Sequence, residues 1–236
     1  MELDLSQVMI EAAELRAVFT DSASLVFGIF DFDKFLAIAV RGTMTRLNKI
    51  LGDLTVDLDA KQHWIDDRAY HVGFYDDAKG ALGDLAGAAG TDQSKPIYFT
   101  GHSMGGAISG LLPSIWSKAT PLRLMTPYTF ASPRFGNEFV AETYRNYAYV
   151  RAADPVPHVP TRSMGYCSSG WPPTMLPTTD SWLSGWNVIR QLTQASDAHA
   201  IEQYRKLVGE EAHLPYFAAQ VYYDALKELL VDSNQH

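Results

Sequence analysis

The pentapeptide Gly101-His102-Ser103-Met104-Gly105 sets a serine between two glycines, each two residues away. With Gly and Ser each near ~7% of residues, a chain of this length meets G-x-S-x-G by chance roughly 0.08 times. The surroundings add to that signal. Residues 96–100 read as a short apolar strand entering the motif, and residues 104–118 as a helix leaving it. A serine in so tight a strand-to-helix turn takes a strained backbone, and the glycines let strand and helix approach where a Cβ would collide. The chemistry that suits such a turn is attack by the Ser103 hydroxyl on an acyl carbon, with the positive end of the helix dipole beneath the developing oxyanion. Phosphate-cradling loops are excluded as motifs, because neither G-x-x-x-x-G-K-[ST] nor G-x-G-x-x-G occurs.

A serine hydroxyl needs a base to take its proton and an acid to orient that base, and for this kind of turn the chain order is Ser, Asp/Glu, His. Asp154 lies 51 residues after Ser103, just past an apolar run over residues 147–151. That is the strand-end edge where sites in open α/β sheets gather, although an Asp before Pro155 also starts turns. Of seven histidines, His63, His71 and His102 fall on the wrong side of the acid. His158 is only four residues past Asp154 in a proline-bound segment, while His213 and His236 belong to a C-terminal stretch. His199 sits at the end of a loop, Ala195-Ser196-Asp197-Ala198, that leads into a helical pattern. It is the candidate base, and an exposed histidine near a helix start is the alternative reading.

An oxyanion hole takes one amide from the residue after the nucleophile, here Met104, and another from a loop at the end of an earlier strand. Val40-Arg41-Gly42-Thr43 fits that loop, with Thr43 offering both its N–H and its hydroxyl.

The elements that must carry these residues alternate between strand and helix, the pattern of α/β packing. Residues 5–19 place apolar side chains at helical spacing and predict an amphipathic helix. Residues 24–30 and 34–40 predict a β-hairpin, residues 74–85 a helix ending in Gly/Ala-rich 86–90, residues 122–130 a strand and residues 137–145 a helix. From 160 to 186 periodicity gives way to prolines and glycines, with Trp171, Trp182 and Trp186 arguing for an ordered loop. The 236 residues, with 47% hydrophobic and 19% charged content, suit a folded chain, and we expect a single domain over 1–236.

A net charge of −8 with no basic cluster argues against a nucleic-acid partner. Apolar runs near six residues, such as 35–40, are far too short for a transmembrane segment. Acidic residues ahead of Arg16 do not form a Sec-type signal, so the expected location is cytoplasmic or reached by signal-independent export. One cysteine, Cys167, rules out an intramolecular disulfide and a cysteine zinc site.

Several blocks together resemble the class 3 lipases of the α/β-hydrolase superfamily. They are Ala39-Val40-Arg41-Gly42-Thr43 with Gly52-Asp53-Leu54, His71-Val72-Gly73-Phe74, Gly101 to Ala107, Ala131-Ser132-Pro133-Arg134-Phe135-Gly136-Asn137, Asp154-Pro155-Val156-Pro157 with Pro160, and His199 five residues before Tyr204. The resemblance implies an α/β-hydrolase fold with a central, mostly parallel sheet flanked by helices. It implies a triad of Ser103, Asp154 and His199, oxyanion donors Thr43 and Met104, structural roles for His71 and residues 132–137, and no metal or organic cofactor. The implied substrate is a fatty acyl ester, acylglycerols first. An esterase for short or aromatic acyl groups and a non-catalytic lipid-binding module are the competing readings. A short lid follows the oxyanion loop in this family, and residues 44–54 carry a matching amphipathic pattern, read either as a lid that meets a lipid–water interface or as a fixed surface helix burying its apolar stripe. Residues 210–236 predict a C-terminal helical extension, read as core packing or a dimer contact, and oligomeric state is left open. Secreted fungal members carry disulfides and a secretion signal, and the chain departs from them in both.

Overall fold

The computed structural model describes residues 14–19, 26–32, 34–42, 61–89, 95–116, 123–151, 154–169, 174–176, 200 and 203–204. Strands β1 (Glu14–Phe19), β2 (Val26–Asp31) and β3 (Leu36–Val40) run antiparallel in succession. The β2–β3 pair is the hairpin expected from the two apolar runs. From β3 the sheet turns parallel through β6 (Ile97–His102), β7 (Tyr128–Phe130), β8 (Tyr147–Arg151) and β9 (Thr174–Leu176), giving the order β1-β2-β3-β6-β7-β8-β9. Strands β4 (Gln62–Ile65) and β5 (Arg68–His71) form a separate hairpin.

Parallel neighbours need crossovers, and the helices supply them. These are α1 (Val72–Gly80) and α2 (Leu82–Ala89) between β5 and β6, α3 (Met104–Trp116) between β6 and β7, and α4 (Glu138–Thr143) between β7 and β8. Ala107, Ile108, Leu111, Leu112 and Trp116 of α3 are fully or almost fully buried, in one core with Ile38 and Val40 of β3, Ile97 and Phe99 of β6, and Ala78 of α1. The other sheet face is aromatic: Tyr128 stacks on Tyr147 at 4.8 Å and Phe130 on Tyr149 at 5.4 Å between ring centroids. The strand and helix alternation predicted α/β packing, and the mostly parallel central sheet is the one the family resemblance implied.

Four expected elements differ. Residues 14–19 lie in β1, paired from Glu14↔Asp31 to Phe19↔Val26, not in a helix. The run Glu-Leu-Arg-Ala-Val-Phe alternates with period 2 as well as it fits period 3.6, and pairing along β2 selects the strand. The helix expected over 74–85 starts earlier, at Val72, and is two helices joined at Ala81. The strand expected over 122–130 is confined to Tyr128–Phe130. Leu124 reaches Ile97 only through an isolated bridge, and Pro127 has no N–H with which to continue the ladder. Within the expected loop 160–186, Thr174–Leu176 pairs with β8 as an edge strand, and Cys167 bridges to Gly136. Residues 44–54, the stretch 210–236 and Trp171, Trp182 and Trp186 lie outside the described residues.

Candidate active site

Register brings the carboxyl ends of four adjacent parallel strands into line. Val40 pairs with Gly101, His102 with Phe130, and Phe130 with Tyr149. The residues that follow those ends are Arg41-Gly42, Ser103, Ala131 and, beyond Arg151, Asp154. This is the edge at which open α/β sheets bind their ligands.

Ser103 occupies the turn between β6 and α3 with φ of +59°, a left-handed conformation rare outside glycine. Surrounding structure over-determines it. Its N–H donates to the Phe130 carbonyl at 3.0 Å, and its carbonyl accepts from Gly106 N–H at 2.9 Å and Ala107 N–H at 3.3 Å. A Cβ on Gly101 would stand 2.2 Å from the Gly105 oxygen, and one on Gly105 would stand 2.1 Å from the Val40 oxygen. Both distances are closer than any real contact, so glycine is required at the two positions that give the motif its spacing. The second approach matters for the chemistry as well: it lays the end of β3, with Arg41 and buried Gly42, against the first turn of α3. Met104 opens that helix. Thr43 is one residue beyond the described end of this segment.

Asp154 is fully buried. Its N–H donates to the Arg151 carbonyl at 3.0 Å, closing a turn off the end of β8. Oδ1 accepts from the N–H of Val156 at 2.9 Å, the short-range bond by which an aspartate starts a turn. The turn-forming role weighed from the sequence is therefore real, yet it engages one carboxylate oxygen only. Oδ2 accepts from the Tyr204 hydroxyl at 2.7 Å. Tyr204 itself is fully buried, and its ring meets that of His102 edge-on at 5.9 Å. Burial first, then the charge of Asp154 and the hydrogen bond to it, push the Tyr204 phenol well above its usual pKa, so it remains a donor.

His158 sits on a 3-10 turn over Val156–His158, an exposed residue whose imidazole pKa is lowered by partial desolvation first and by Arg134 second, with Asp154 opposing. Arg134 ties this loop down. Its guanidinium donates to the carbonyls of His158 and Pro160 and to the Ser168 hydroxyl, and its N–H donates to the Val159 carbonyl at 2.8 Å. Asn137 caps α4 by accepting the Val140 N–H at 3.1 Å. Both contacts suit the structural role that resemblance gave residues 132–137. His199, His213 and His236 lie outside the described residues. In the sequence Tyr204 stands out only by its spacing, five residues after His199. Its bond to Asp154 spans 50 residues and leaves no local signature.

A mostly parallel sheet with helices packed on it and a strained serine at the central strand-to-helix turn defines an α/β-hydrolase fold. The chain belongs to the class 3 lipase family, whose family model, Lipase (class 3), matches residues 37–164, more than half of the sequence. Over 147 residues it is 30% identical to a secreted mono- and diacylglycerol lipase of Fusarium solani, covering 56% of this chain and 41% of that protein. Over 94 residues it is 32% identical to the toxin TseL of Vibrio cholerae, covering 39% of this chain and 15% of the toxin. Among solved structures, the triacylglyceride lipase of Rhizomucor miehei superposes with a TM-score of 0.60 at 25% identity, over 72% of this chain and 68% of that one. The chain spans less than half the length of the two curated relatives it matches. Among the described residues no helix is long and apolar enough to cross a membrane, and no group of three or more His, Cys, Asp or Glu is placed to hold a metal ion.

Proposed function

We propose that the protein is a serine carboxylic-ester hydrolase acting on fatty acyl esters, acylglycerols first, through an acyl-enzyme. The observation that carries this reading is the glycine-enforced turn that sets Ser103, at a backbone cost of about 1–3 kcal/mol, between the central strand and its helix at the carboxyl edge of the sheet. The family's named relatives, a mono- and diacylglycerol lipase and a triacylglyceride lipase, support the acylglycerol class.

In this mechanism His199 takes the Ser103 proton as Oγ attacks the ester carbonyl carbon. The carbonyl π electrons move to oxygen, and the oxyanion is held by the N–H groups of Met104 and Thr43 with the Thr43 hydroxyl. Asp154 holds the imidazole tautomer and stabilises its cationic form. Collapse breaks the bond to the alcohol oxygen, which leaves with the proton from His199. Water, deprotonated by the same histidine, then attacks the acyl carbon and frees Ser103 and a fatty acid. Residues 44–54 serve as the lid that opens at a lipid surface.

Turnover of p-nitrophenyl esters from C2 to C16 tests the substrate class: a maximum at medium or long chains supports it, and a monotonic decline from C2 replaces it with a short-chain esterase. Activity that stays flat as substrate passes from monomers to an emulsion removes the lid. Loss of all ester hydrolysis in the intact, folded protein removes the enzyme.

A further inference from the structure

The carboxylate of Asp154 is gripped from two directions. Val156 N–H donates to Oδ1, and the Tyr204 hydroxyl donates to Oδ2 at 2.7 Å. The direction of the second bond is itself fixed. The Arg151 N–H donates to the Tyr204 oxygen at 3.1 Å, occupying one of its lone pairs, and this leaves the phenolic proton directed at the carboxylate. Around the same phenol, the ring edge meets His102, the residue immediately before Ser103. One side chain therefore touches the aspartate through its hydroxyl and the elbow through its ring. Beside it in the chain, Gln203 N–H donates to the Ala200 carbonyl at 3.1 Å, and Ala200 directly follows His199 in the sequence.

We propose that Tyr204 is a positioning residue for ester hydrolysis, locking the Asp154 carboxylate in the plane that presents it to the base and holding that plane in register with the Ser103 elbow. The proposal rests on Asp154 being the acid of the triad. Each donor takes one lone pair of its own carboxylate oxygen, and the two together restrain the rotation about the Asp154 side chain that would misalign it. A hydrogen bond to a charged acceptor in a site from which water is excluded is among the stronger ones a side chain makes. Because the phenol is neutral, it orients the carboxylate without cancelling its charge.

Tyr204→Phe keeps the ring against His102 and removes only the hydroxyl. On a soluble p-nitrophenyl ester, with rates expressed per site titrated by an organophosphonate, kcat should fall about tenfold while KM changes less than twofold. In an Asp154→Asn background the same substitution should cost less than a further twofold, because there is no carboxylate left to orient. A kcat unchanged by Tyr204→Phe, beside a strong loss in Asp154→Asn, overturns the role of Tyr204 and leaves the triad standing. A full tenfold loss in both backgrounds overturns it too, since that is the additive signature of a merely structural contact. If Asp154→Asn alone leaves turnover intact, the triad reading falls and this proposal with it. A second readout needs no change at position 204. The buried phenolic proton should give a slowly exchanging, downfield proton resonance that moves upfield in Asp154→Asn, and an unmoved resonance contradicts the bond.

Discussion

The two ends of the site are built from different materials. At the Ser103 end the geometry is held by the main chain: a positive φ, backbone hydrogen bonds on both sides of the serine, and glycines whose replacement would drive a Cβ into backbone atoms near 2 Å away. At the Asp154 end the main chain supplies only part of the hold, one N–H from a neighbouring turn, and the other donor is a side-chain hydroxyl from 50 residues away. A reactive group placed by backbone packing cannot be moved without disturbing the core beneath it. One placed by a phenol can be misaligned while the fold stays whole. Substitutions at the elbow's glycines should therefore appear as lost stability, and substitutions around the aspartate as lost rate.

The largest expected effect sharpens that contrast at a single position. Ser103→Gly should lower ester turnover at least about 10⁴-fold, since the nucleophile is gone. The same change should raise stability by about 1 kcal/mol, because glycine adopts the left-handed conformation without the Cβ penalty. Chemical denaturation beside an activity assay reads both, and a destabilised Ser103→Gly would contradict stored strain. Asp154→Asn comes next, with a loss of order 10³–10⁴ in kcat and intact near-ultraviolet dichroism.

Third is Gly105→Ala, whose Cβ meets the Val40 carbonyl oxygen. It should cost about 3 kcal/mol or more, read as a large drop in the urea midpoint, whereas Gly87→Ala on α2, with no atom within 4 Å of the added carbon, should gain about 0.5–1 kcal/mol. Equal effects at the two glycines would break the comparison.

The smallest effect concerns the aromatic face. Tyr128 and Tyr149 are each pushed up to about 12, by burial first and by neighbouring tyrosines second, and Tyr204 also titrates well above the usual phenol. A phenol that holds its proton more tightly folded than unfolded contributes stability that is complete below the unfolded value of about 10 and fades as pH climbs from there towards the folded value. Melting temperature should be level from pH 8 to about 9.5 and fall beyond it, and a rise over that upper range would reverse the sign.

What could be read from the sequence follows the same division. The elbow was legible because its cause is local: glycines at fixed offsets from a serine, an apolar strand before and a helix after. Asp154 was legible because Pro155 and the apolar run 147–151 mark a strand end, although the same residues also spell an ordinary turn, and the molecule uses the aspartate in that way too. The β1 segment was misread because six residues satisfy two periodicities and only a partner strand decides between them. Strand β9 was hidden by Pro172, Pro173 and Pro177, which read as loop and yet leave three residues free to pair at a sheet edge. Tyr204 carried no signal for its contact with Asp154, since a hydroxyl's partner is a property of the tertiary fold.

The proposed role of Ser103 is that of a nucleophile activated by His199 and Asp154. Its most direct test is the rate and site of covalent labelling by an organophosphonate, followed by peptide mass spectrometry. One adduct per chain on Ser103 is predicted, absent in Ser103→Ala and slowed at least 100-fold in both His199→Gln and Asp154→Asn while the protein stays folded. Labelling at another serine, or at Ser103 with the same rate in the His199 variant, would contradict it.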